Sequence, residues 1–136
     1  MNEQPYKIEK QDHCIQVEFS KGLEITPELI INAMDHENAL YDIKGRHDLW
    51  DFRGCRPSPN FGYDAMSRVV LHILSHTDGN WSEKTALLVD DTIQYGLSRM
   101  FQILVDEYPT RIEIFQNEAD ARAWISRKPD IEGNAQ

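Results

Sequence analysis

The stretch Lys84-Thr85-Ala86-Leu87-Leu88-Val89-Asp90 decides the fold. It is a continuous apolar run of strand length, the pattern of a strand covered on both faces, and such strands belong to parallel sheets under helices. Immediately after it, Ile93, Leu97, Met100, Phe101, Leu104 and Tyr108 recur at helical spacing and mark one narrow apolar face of a helix over about 92–108. Pro109 stops that helix. Arg111–Phe115 alternates as a further strand, and Asn117 caps a last helix whose apolar side is Ala121, Trp124 and Ile125.

Working back toward the amino end, Met66, Val69, Val70, Ile73 and Leu74 predict a helix over roughly 60–76, ended by Asp78-Gly79-Asn80. His47–Phe52 reads as a strand, and Gly54, Pro57 and Pro59 exclude regular structure from there to about Asn60. Thr26-Pro27-Glu28 is a helix start, with Thr as cap, Pro in the first helical position and an acid at the positive end of the dipole. That helix runs to about Leu40 with Leu29, Ile30, Ala33 and Leu40 as its stripe, while Ile31 and Met34 fall outside it. Residues 5–10 and 13–19 alternate apolar with polar and form a hairpin across Gln11-Asp12. The order β-β-α-β-α-β-α-β-α predicts an α/β domain over 1–128. Its core is a mixed, mostly parallel five-stranded sheet with right-handed crossovers and helices on both faces. A flexible tail follows from Pro129 to Gln136.

The composition sets limits on function. Fourteen Lys+Arg against 23 Asp+Glu give a formal charge of −9 over 136 residues, with no basic stripe, which argues against a nucleic-acid partner. No apolar run approaches the ~20 residues of a membrane span, and the first residues lack the apolar core of a secretory signal, so a cytoplasmic location is expected. Cys14 and Cys55 are far apart and form no metal or disulfide motif, so both are expected to be free, small, buried side chains.

Four segments carry a resemblance to a known family. Thr85–Val89, Tyr95–Phe101, Arg111–Phe115 and Ala121–Ile125 resemble the small bacterial SpoIIAA-like proteins, which are related to STAS domains and similar to the CRAL–TRIO lipid-binding fold. The likeness extends by element order through Asp48–Phe52 and the hairpin. It implies the architecture reached above, and leaves activity open because fold does not fix function. STAS antagonists of anti-sigma factors carry a regulatory serine in a short turn after a central strand. The matching stretch, Asp51 to Asn60, is longer and proline-rich, and Ser58 is its phosphorylation candidate.

Other candidate sites come from placement. Asp51 and Arg53 end the third long strand, and Asp90 and Asp91 end the fourth. Carboxyl ends of strands in open α/β sheets are where crevices form, so these four are ligand-binding candidates, able as acids to hold Mg²⁺. Either Asp90 or Asp91 also fits as the cap of the following helix. Val89-Asp90-Asp91 is similar to the acidic pair of receiver domains, but only one strand follows and it offers no terminal Asp. His72 and His76 have the spacing of two metal ligands on a helix without the rest of a zinc motif, and read as boundary residues. Gly96 inside a strong helix reads as a point of close backbone approach. No nucleotide or hydrolase signature occurs.

Three readings follow. The first is a non-enzymatic regulatory or protein-interaction domain without cofactor, contacting a partner protein or a second copy through Ile31 and Met34. The second is a carrier or sensor of a lipid or small apolar ligand held between helices and sheet. The third is an enzyme using Asp51, Asp90 and Asp91 with Mg²⁺. A deep apolar pocket favours the second reading, a shallow acidic one the third, and none the first.

Overall fold

The computed structural model describes residues 4–42, 44–76 and 81–127; the 129–136 tail and the Asp78-Gly79-Asn80 helix stop lie outside the described residues. Strands β1 (Tyr6–Lys10), β2 (Ile15–Phe19), β4 (His47–Asp51), β6 (Lys84–Leu88) and β7 (Arg111–Phe115) form one sheet in that order. β1 is antiparallel to β2, with Tyr6 opposite Phe19, and the remaining pairs are parallel. Helices α1 (Pro27–Leu40), α2 (Tyr63–His76) and α3 (Thr92–Leu104) are the crossovers, and α4 (Glu118–Ser126) follows the last strand. The expected mixed five-stranded α/β architecture is therefore present. The spatial order never reverses along the chain, so successive crossovers of one hand all place their helices on the same face.

That face carries the main core, in which Val17, Phe19, Trp50 and Leu87 of the sheet meet Ala33 of α1 and Ala65, Met66, Val69 and Ile73 of α2. Among the described residues the opposite face is covered by α4, through Ala121 and Ile125 against Leu49, Ala86 and Leu88. Strand alternation divides the two cores: Trp50 and Leu87 point one way, Leu49 and Leu88 the other. Lys84, 2% exposed at the edge of the smaller core, donates through Nζ to Trp124 O (2.7 Å) and Arg127 O (2.8 Å). A cation on the last carbonyls of α4 satisfies orphan acceptors and the negative end of its dipole together.

Local chemistry explains the ends. Thr26 Oγ1 accepts from Leu29 N at 3.1 Å and Pro27 opens α1, as the sequence predicts. One expectation fails between Gly54 and Asn60. Arg56–Pro57 is a short strand, β5, pairing in parallel with β3 (Glu24–Ile25). Proline is tolerated there because the ladder uses its neighbours: Arg56 N donates to Leu23 O (3.0 Å) and Ser58 N to Ile25 O (2.8 Å). Gly22 and Gly54 flank this ribbon at φ +82° and +79°, and Gly22 N donates to Gly54 O (2.7 Å), a left-handed pair that favours glycine.

The helix stripes also need correction. Leu40, Leu74 and Ile93 are 57, 55 and 64% exposed, because the buried line of each helix is rotated from the purely apolar one. On α1 that line includes Glu37, and on α3 it includes Gln94 and Ser98. Ile31 and Met34, expected to be left uncovered by the fold, are half-buried and pack against the main core, with α2 lying alongside α1 in the helix layer. Glu28–Arg68 (2.9 Å) and Asp35–His72 (2.7 Å) tie the outer edges of these two helices.

Candidate functional site

The four carboxyl-end candidates occupy one neighbourhood, in which Asp51 is buried, Asp90 and Asp91 are exposed, and each acid accepts a hydrogen bond from the protein. Asp51 is 1% exposed, and Arg53 grips it with Nε to Oδ1 (3.0 Å), Nη2 to Oδ2 (2.8 Å) and the backbone N–H to Oδ1 (3.0 Å). Burial alone would raise the Asp51 carboxyl, but these hydrogen bonds and the guanidinium charge outweigh it and hold the group below its usual range. Arg53 continues to Glu118 at 3.0 Å, and Glu118 accepts from Arg122 Nε at 2.8 Å. Asp90 Oδ2 accepts from Gly54 N at 2.9 Å, while Asp91 is the cap of α3, accepting from Gln94 N at 2.7 Å. The monotonic strand order supplies no switch point at this end of the sheet, the place where an α/β crevice opens. Among the described residues, no group of three or more His, Cys, Asp or Glu converges as metal ligands.

Gln94 fastens this region to α3. Its Oε1 accepts from Asp90 N (2.9 Å), and its Nε2 donates to Phe52 O (3.0 Å) and Cys55 O (2.7 Å). The turn after β4 is thereby fixed by one buried amide. Ser58 is half-buried just beyond β5, five positions before α2 begins, with its backbone committed to Ile25 and Phe61. Cys14 and Cys55 are buried and free, and burial pushes both thiols up. His72 bonds Asp35 through Nε2 at 2.7 Å; the side chain of His76 lies outside the described residues. The Cβ position of Gly96 meets nothing within 4 Å, so no close backbone approach accounts for this glycine.

An apolar space lies elsewhere, beneath the three-helix layer. A cavity of about 160 Å³ runs between α1, α2, α3 and the sheet, with walls that include Met34, Trp50, Met66, Leu87 and Phe101. None of Asp51, Arg53, Asp90 or Asp91 lines it. Its aromatic side is braced by Phe52, stacked on Phe19 at 5.0 Å between centroids and 13° between planes. Trp81 and Tyr108 meet edge to face at 5.8 Å and belong to the same wall. The volume is close to that of engineered apolar cavities of about 150 Å³ that stay dry and take up benzene.

Each end of the cavity has a polar group. At the carboxyl ends of the strands stands Gln94, whose amide is already used. At the amino ends, Asp48 and Thr85 project from the second positions of β4 and β6, with Ser82, Thr110 and Glu37 beside them. Asp48 is 3% exposed; its Oδ2 accepts from Trp50 Nε1 (3.0 Å) and its Oδ1 from Thr85 Oγ1 (2.5 Å). Glu37 is 2% exposed, and burial first, then the charge and hydrogen bond of Asp48, push its carboxyl well above the usual range. Burial and an acidic neighbour both favour the protonated form of Glu37, while Trp50 and Thr85 donate to Asp48.

Sequence reasoning missed this cluster. The available signals were an acid on the apolar line of α1, one turn after Ala33, and an acid on the same strand face as Trp50. Both were visible as positions, but strand parity alone does not say which face is walled by a cavity.

The fold and the cavity define an α/β protein in which three crossover helices roof an apolar space on a single sheet. Its structure is similar to the crystal structure of an uncharacterised protein of the DUF3478 family from Shewanella loihica PV-4, which has a SpoIIAA-like fold. The TM-score is 0.53 at 18% identity, over 92% of this chain and 98% of that one. The fold of this chain is SpoIIAA-like, as the resemblance in its strands and helices implied. No family model matches the sequence, and no curated protein does. Among the described residues, no helix is long and apolar enough to cross a membrane.

Proposed function

We propose that this protein binds a small apolar molecule in the cavity between the three-helix layer and the sheet, as a carrier or sensor. The observation that carries the reading is the cavity itself, an apolar space in a chain of only 136 residues, where close packing is the norm. An apolar guest of aromatic-ring size buries roughly 200 Å². At about 25 cal/mol per Å² that contributes about 5 kcal/mol, which corresponds to a dissociation constant on the order of 0.1–1 mM before any polar contact is counted. The regulatory reading draws its support from the fold likeness, which does not carry function.

The test is a titration with 1-fluorohexane followed by tryptophan fluorescence, since Trp50 and Trp81 both line the cavity. Saturable binding in the wild type, absent in Val69→Phe, supports the reading. Val69 is fully buried on the cavity wall, so the larger ring fills the space. Equal signals in both proteins, or no saturable signal in the wild type, overturn it.

A further inference from the structure

The polar cluster at the amino end of the cavity has its hydrogen bonds arranged in one direction. Asp48, with both oxygens accepting, fixes Thr85 as the donor of their contact. Thr85 has one hydroxyl proton, so in the 2.7 Å contact between Ser82 Oγ and Thr85 Oγ1 the donor is Ser82. Thr110 spends its own proton on Ser82 O at 2.7 Å. A hydrogen bond between two carboxyl groups needs one proton, and with both Asp48 oxygens accepting from Trp50 and Thr85 the donor toward Asp48 is Glu37. The O–H groups of Thr85, Ser82, Thr110 and Glu37 are therefore all directed at protein oxygens.

What these residues have left to offer is lone pairs. One of them stands out: among the described residues Glu37 Oε2 has no hydrogen-bond partner, although its residue is almost fully buried and lines the cavity. A buried acceptor left unmatched costs about 1–3 kcal/mol. The group that relieves this cost must donate a hydrogen bond and must carry no negative charge, because Asp48 is adjacent. It must also be cheap to desolvate, which favours a neutral O–H over an ammonium.

We propose that the cavity selects a small apolar molecule bearing one neutral hydroxyl group, which donates to Glu37 Oε2 while the apolar body lies along Trp50, Leu87 and Phe101. This specificity rests on the apolar-ligand reading above and adds the head group to it. Alkanes and fluoroalkanes fit the walls but leave Glu37 Oε2 unmatched. Fatty acid anions meet a carboxylate and no available O–H donor from these four residues.

The experiment compares 1-hexanol, 1-fluorohexane and hexanoate on the full chain by the fluorescence of Trp50 and Trp81. The alcohol is expected to bind about tenfold more tightly than the fluoroalkane, the free-energy scale of one buried hydrogen bond, and hexanoate not at all. Glu37→Gln turns its amide N–H toward Asp48 and keeps an oxygen for the ligand, so it retains the preference. Glu37→Met removes the acceptor, so alcohol and fluoroalkane then bind alike. Equal wild-type affinity for 1-hexanol and 1-fluorohexane, or an unchanged preference in Glu37→Met, overturns the head-group assignment and leaves the apolar-ligand reading standing. Failure of 1-fluorohexane to saturate overturns that reading as well.

Discussion

Glu37 on the first helix and Asp48 on the central strand are adjacent buried acids, and burial together with Asp48 pushes the Glu37 carboxyl well above its usual range. The pair lies at the amino end of the sheet, opposite the carboxyl-end acids that a conventional α/β crevice would use.

This shift has a consequence for stability. The folded state raises the Glu37 carboxyl above its unfolded value near 4.5, so the folded chain binds more protons than the unfolded one in the interval between them. The contribution of Glu37 is fully present below that unfolded value and is lost as pH rises toward and through the folded one. Urea denaturation of wild type and Glu37→Gln from pH 4 to 8 measures it. The stability of the wild type relative to the variant is expected to fall above about pH 4.5, with a slope of up to about 1.4 kcal/mol per pH unit. A difference that is flat or rises with pH would place the proton elsewhere.

Gln94 is the second buried polar group on which the fold depends. Gln94→Leu takes the side-chain partner from Cys55 O and Asp90 N and leaves Phe52 O with the Cys55 N–H alone. The expected loss is about 2–4 kcal/mol by chemical denaturation. Gln94→Glu is expected to lose at least as much at neutral pH, since a carboxylate cannot donate to two carbonyls. Asp91→Ala, which removes only the cap of α3, is expected to cost about 1 kcal/mol. If Gln94→Leu is no worse than Asp91→Ala, the turn after β4 is held by something else.

Ile31 and Met34 give a prediction opposite to the one their positions on a helical wheel suggest. Both pack against the main core, and Met34 also lines the cavity. The double variant Ile31→Glu with Met34→Glu is expected to lose roughly 3 kcal/mol or more, and to keep the wild-type association state by sedimentation. A variant of unchanged stability that loses association would restore these residues to an interface.

The legible and illegible parts of the fold have separate physical causes. Residues 84–90 and the capped helix at Thr26 were legible because period, caps and breakers act locally. Asp91 as a cap was legible for the same reason, as one of two neighbouring candidates. The 56–57 strand was not, because its pairing with 24–25 depends on residues brought together by the fold and outweighs the local cost of Pro57. The rotated faces of α1 and α3 were hidden because Glu37, Gln94 and Ser98 are polar by type and buried by partnership. Partners such as Asp48 or the Phe52 and Cys55 carbonyls lie far away in sequence. The carboxyl-end acids do share one neighbourhood, but the hydrogen bonds of Asp51 with Arg53 and of Asp90 with Gly54 depend on side-chain and backbone geometry that spacing does not give.

The most direct measurement is a crystal structure of the protein soaked with 1-hexanol. The account predicts the alcohol inside the cavity, its chain along Trp50 and Leu87 and its oxygen within hydrogen-bond distance of Glu37 Oε2. A cavity filled by shifted side chains such as Met34 or Met66, with the alcohol absent at saturating concentration, would contradict it.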